Sequence, residues 1–137
     1  MLSVVLGLAT LAGCSGGGPY CDAVDAGREP LATFGEQSDA AFSTYADVTT
    51  KISRVAPADV KKEWKSIAVS TKKVVIAHRT SGLALEDMKD EVKVNALSKQ
   101  DIDQITAAHE AFNDTKAQRE DVVEHVHDEC GIDLSKK

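Results

Sequence analysis

The residues best suited to chemistry at neutral pH are the four histidines, His78, His109, His125 and His127. His125 and His127 lie among Asp121, Asp128 and Glu129, a composition that could ligate a metal ion. Each step along a helix turns about 100°, so residues two apart point about 200° apart and this pair cannot share one ion. His125 could share one with Asp121 or Glu129, four residues away, given a third ligand from another helix. No third ligand is evident, so the expectation is a solvated charged face and no metal. His109 sits on an apolar stripe with Ile105 and Phe112, and His78 ends a similar stripe. Both read as buried, hydrogen-bonded histidines. Trp64 reads as a core anchor whose indole N–H needs a partner. If the chain holds a small ligand between helices, Trp64, His78 and His109 are the residues expected to line it.

Other chemistry is missing from the sequence. Asp101-Ile102-Asp103 lacks the glycine and terminal glutamate of a calcium loop. There is no Gly-x-Ser-x-Gly, His-Glu-x-x-His, phosphate-binding glycine loop or Cys-x-x-Cys. No catalytic residue or cofactor is expected, and the chain reads as non-enzymatic. The net charge of −6 without a basic cluster excludes nucleic acid as a partner, since that binding needs Lys and Arg to displace counterions.

At the N-terminus, Met1 to Ala12 is apolar and uncharged, too short to cross a bilayer but as long as the apolar core of a signal peptide. It closes on Leu11-Ala12-Gly13-Cys14, which resembles the lipobox of bacterial lipoproteins. That resemblance implies cleavage before Cys14 and a diacylglycerol thioether, usually with a further acyl chain, on Cys14. Two or more chains anchor a protein stably. Such signals begin with Lys or Arg, and none precedes the run here, the pattern expected of a start placed too far downstream. Ser15-Gly16-Gly17-Gly18 then reads as a flexible tether. The organisation expected is a signal peptide over 1–13, a lipidated Cys and tether over 14–18, and one helical domain over 19–137. Membrane contact is expected from the lipid and not from charge.

With Cys14 lipidated, Cys21 and Cys130 remain. An exported chain meets an oxidising environment, which favours a disulfide over free thiols. A zinc site would want four ligands. The two cysteines lie at the start of the first helical pattern and the end of the last, so a bridge clasps the domain's ends.

Apolar residues recur at helical spacing and no strand pattern stands out. The spacing predicts a segment from Tyr20 to Phe34, with Tyr20, Val24, Leu31 and Phe34 inward, kinked near Glu29 by Pro30. A second helix spans Asp39 to Val55, with Phe42, Tyr45, Val48, Ile52 and Val55 inward. A third runs from Pro57 to Thr80, with Val60, Trp64, Ile67, Thr71, Val74 or Val75, and His78 inward, and is stopped by Gly82. A short helix over Glu86 to Val92 would bury Leu85, Met88 and Val92. Ser98 caps a helix to Phe112 with Ile102, Ile105, His109 and Phe112 inward. A last helix from Thr115 to Glu129 buries Val122, Val123, Val126 and Cys130. Ile132-Asp133-Leu134 folds back, and the chain frays from Ser135. The short connections imply an all-α, up-and-down bundle of four to five helices.

Pro19-Tyr20-Cys21-Asp22, Ala56-Pro57-Ala58-Asp59-Val60 ahead of Trp64, and Glu129-Cys130-Gly131-Ile132-Asp133-Leu134 together resemble a group of small, exported, all-helical lipoproteins of actinobacteria. The resemblance implies the bundle and its terminal disulfide, and no activity. The expected place is the outer face of the cytoplasmic membrane, and the expected role is an interaction or binding module with an envelope protein as partner. The alternative is a carrier of a small ligand or metal.

Overall fold

The computed structural model describes residues 17–32 and 38–135. The lipobox with Cys14, the first half of the tether, Phe34 and Gly35 lie outside them. The described residues form seven α-helices, one short 3-10 turn and no strand. The helices pack as one bundle around α4 (Lys61–Ser81), which lies against α3 (Asp39–Val55), α6 (Lys99–Asn113) and α7 (Lys116–Cys130).

α4 is central because its apolar stripe is the longest. Val60, Trp64, Ile67, Thr71, Val74 and His78 follow at spacings of three and four, and none is more than 3% exposed. The helix starts at Lys61 and not at Pro57, because Val60 bonds back to the Pro57 carbonyl and closes a separate turn first. Gly82 ends it at φ 73°, the left-handed conformation that glycine adopts without a Cβ penalty.

α3 has the predicted bounds. The Ser38 hydroxyl accepts from the Ala41 N–H at 3.1 Å. Phe42, Tyr45 and Ile52 are buried, and so is Thr49, whose hydroxyl donates to the Tyr45 carbonyl. Val55 is 42% exposed, and Ala56 takes the buried place where the chain turns out of the helix.

The first segment divides into α1 (Pro19–Ala26) and α2 (Arg28–Ala32). The break falls at Gly27, two residues before the expected kink. Pro30 has no N–H for the Ala26 carbonyl, so the irregularity appears one turn upstream of the proline. Gly27 is buried, and a Cβ there would collide with Val48 Cγ1. Glycine lets α1 and α2 lie close against α3.

Between α4 and α6, a 3-10 turn (Leu85–Lys89) and the one-turn α5 (Glu91–Asn95) replace the single helix expected. Asp90 caps α5 by accepting from the Val92 and Lys93 N–H groups. Leu83 and Leu85 are buried, whereas Met88 and Val92 face out, Val92 at 80% exposure. Ile102 also faces out, and Ala108 joins Ile105 and Phe112 inside.

Only Asp114 and Thr115 separate α6 from α7, and both stay near right-handed helical dihedrals. The two helices are therefore arms of one bent rod running against α4. Gly131 ends α7 at φ 65°, and Ile132 and Leu134 fold back into the core. Ser135 is held by the Asp133 carboxylate. Cys21 and Cys130 form a disulfide with Cα atoms 5.4 Å apart, which joins α1 to the end of α7.

Candidate functional site

Two clusters of polar side chains from different elements lie along α4. Near its start, Trp64 is fully buried and its indole N–H donates to Tyr20 Oη at 3.0 Å. The Tyr20 hydroxyl in turn meets His125 Nδ1 at 3.2 Å, and His125 Nε2 lies 3.4 Å from Asp59 Oδ2. With Oη accepting from the indole, the Tyr20 O–H is available to donate to Nδ1. His125 then carries its hydrogen on Nε2, facing Asp59. The disulfide sets this register: bonding Cys21 to Cys130 brings residue 20 against the last turns of α7.

Burial is the main cause raising Tyr20 above the ordinary tyrosine value of 10.0. The carboxylates of Asp59 and Glu129 push the same way, and the Trp64 hydrogen bond opposes them. Tyr20 is thus a neutral donor at physiological pH. His125 is not on a solvated face as expected. It is half-buried, and its partners come from α1 and the turn before α4, not from Asp121 or Glu129. His127 is exposed beside Asp128. Among the described residues no three His, Cys, Asp or Glu side chains gather as a metal ligand set.

Near the other end of α4, His78 Nδ1 lies 2.7 Å from the Leu83 carbonyl, which can only accept, so Nδ1 carries a hydrogen. Its Nε2 meets His109 Nε2 at 2.9 Å, with the rings edge to face. Burial, and then the neighbouring His78, push His109 below the ordinary histidine value of 6.5. His78 and His109 thus come together as partners, but only His78 is buried as expected, and His109 is half-buried. Trp64 does not join them. It lies fourteen residues before His78, about 20 Å along the helix at 1.5 Å per residue. The three residues expected to line one pocket serve two separate clusters.

A third feature is an open groove of about 860 Å³ where α2, α3, α4 and α7 converge. Leu31, Tyr45, Trp64, Val122, Val123 and Leu134 form its apolar lining, and Arg119, Lys116, Glu120, Glu124 and His127 lie at its polar side. Burial pushes the Tyr45 hydroxyl up to about 12, with Arg119 opposing, so Tyr45 also stays neutral. Arg119 donates to the Phe112 carbonyl and the Thr115 hydroxyl and lies over the Phe112 ring.

Tyr20 is buried as expected, but its role and that of Asp59 as partners of His125 escaped the sequence reading. The Tyr20–His125 pairing was legible only through the disulfide, once residue 21 is placed beside residue 130. Nothing in the local pattern marks Asp59. No family model, curated protein or solved structure matches the chain. No described helix is long and apolar enough to cross a membrane.

Proposed function

We propose that the chain is a lipid-anchored protein of the cell envelope, held on the outer face of the cytoplasmic membrane through Cys14, and that it acts as a non-enzymatic interaction module. The observation that carries this reading is the Cys21–Cys130 disulfide seven residues beyond a lipobox cysteine. A bridge of this kind persists in an oxidising compartment, which an exported chain reaches. Ser15-Gly16-Gly17-Gly18, read as a tether, keeps the folded domain close to the membrane. Replacing Cys14 with Ser tests the anchor. The variant should leave the membrane fraction and lack the diacylglycerol mass increment. Retention of Cys14→Ser in the membrane would sink the anchor. Crosslinking in intact cells, followed by mass spectrometry, tests the role: one recurrent envelope protein, lost with Cys14→Ser, is the expected result.

The groove beside Tyr45 and Trp64 supports a second reading, a carrier of a small apolar ligand. Enclosure of a drug-sized apolar molecule there would quench or shift the Trp64 emission. Crosslinking that finds no recurrent partner, together with such a shift, would favour the carrier.

A further inference from the structure

The outward side of α4 differs from the rest of the surface. The chain is acidic, with 22 Asp and Glu against 16 Lys and Arg. α4 holds six of those basic residues and a single acid, Glu63. At about 100° per residue, Lys62, Lys65, Val69, Lys72, Lys73 and Ile76 fall within one face, opposite the buried stripe. All six are exposed, Val69 at 47% and Ile76 at 58%. None of the four lysines enters an ion pair among the described residues. No Asp or Glu lies on that face of the helix. A groove of about 360 Å³ runs beside it, lined by Lys62, Lys65, Val69 and Lys73 against Ala111 and Thr115.

From this we infer that the outer face of α4 docks on an anionic lipid bilayer and so fixes the orientation of the tethered domain. Charge complementarity selects the occupant: unpaired ammonium groups on one face of an acidic protein fit phosphate headgroups. Clustered Lys on an amphipathic helix is the pattern that anionic lipid attracts. Val69 and Ile76 stand between the lysines, so they can enter the headgroup boundary while the lysine stems bend around them to keep their charges in water. The strip is about 20 Å long. The inference rests on the anchored reading, because two apolar side chains hold weakly alone and the tether supplies the effective concentration. It revises the expectation that the lipid alone makes the membrane contact: summed over the chain the charge is negative, but α4 gathers the positive part on one side.

The test is amine acetylation read by mass spectrometry on the full chain. The chain is reconstituted in vesicles of neutral phosphatidylcholine, or of phosphatidylcholine with phosphatidylglycerol, at low and high salt. With phosphatidylglycerol at low salt, Lys62, Lys65, Lys72 and Lys73 should react about fivefold more slowly, the factor that corresponds to about 1 kcal/mol per lysine near an anionic surface. Lys99 and Lys116, which pair with Asp103 and Glu120, should react as before. High salt should abolish the difference, as should the exposed double variant Lys65→Glu/Lys73→Glu, its fold checked by circular dichroism. Equal α4 rates in both vesicles overturn the inference. So does protection that falls on dilution of the protein, which marks a second copy. Protection that appears in neutral vesicles only on adding envelope proteins marks an acidic protein partner and overturns it too. A chain without lipid on Cys14 counts against the anchor; a large excess of added anionic vesicles then replaces the tether's effective concentration, and α4 protection under that excess still decides the docking.

Discussion

His78 and His109 meet nitrogen to nitrogen, Nε2 to Nε2 at 2.9 Å, so the line between them has room for one proton. His78 already donates its Nδ1 hydrogen to Leu83, which fixes its ring. In the neutral pair, His109 donates and His78 accepts. Charging both rings would set two N–H groups against each other.

The stability of the fold should therefore fall in acid. The folded state lowers His109 below 6.5, so the unfolded chain binds a proton first as the pH drops. The contribution is complete above about 6.5, the unfolded value, and is lost as the pH falls through the lower folded one. Urea midpoints measured between pH 7.5 and pH 5 should decline more steeply for the wild type than for His109→Gln. Parallel profiles would remove His109 as the cause.

Loss of the disulfide should cost more than any side-chain change in the interior. It joins residues 109 apart, and closing a loop of that size is worth about 4–5 kcal/mol in the chain-entropy model. Cys21→Ser/Cys130→Ser should unfold at markedly lower urea, and reductant should shift the wild type to the same midpoint. A shift below about 1 kcal/mol would mean that the unfolded chain is already compact.

Tyr20→Phe keeps the ring and deletes one oxygen. It leaves the buried Trp64 N–H without an acceptor and His125 Nδ1 without its donor. The expected cost is about 1–3 kcal/mol, with a change in Trp64 emission. A neutral Tyr20→Phe would show that water replaces the hydroxyl.

Gly27→Ala pits local preference against packing. Helix propensity alone favours alanine by up to about 1 kcal/mol. The new Cβ would collide with Val48 Cγ1, and a branched side chain has little room to turn away. The variant should lose about 1–3 kcal/mol. Val48→Ala should recover part of that loss in the double mutant, whereas additive costs would point to a backbone cause.

Much of the fold was legible from residues that act on their neighbours in the chain. Ser38 and Ser98 each cap a helix through a hydroxyl three residues from its target, and Gly82 and Gly131 end helices with a left-handed turn. The α4 stripe was legible for the same reason, since spacing names a face. Met88, Val92 and Ile102 were misplaced because spacing does not say what that face meets. Met88 and Val92 lie in the short 3-10 turn and α5, and Ile102 in the first turn of α6, and each faces water.

The sequence by itself thus determined the helical class and most helix boundaries, because caps, breaks and periodicity act within a few residues. The tertiary structure alone decided which distant groups became partners. Trp64 finds Tyr20 across 44 residues and His78 finds His109 across 31. It also decided that Gly27 must yield space to Val48. Such pairings depend on how faces are apposed around α4, and no local preference encodes that choice. Packing selects it because a buried N–H or ring nitrogen left without a partner is costly.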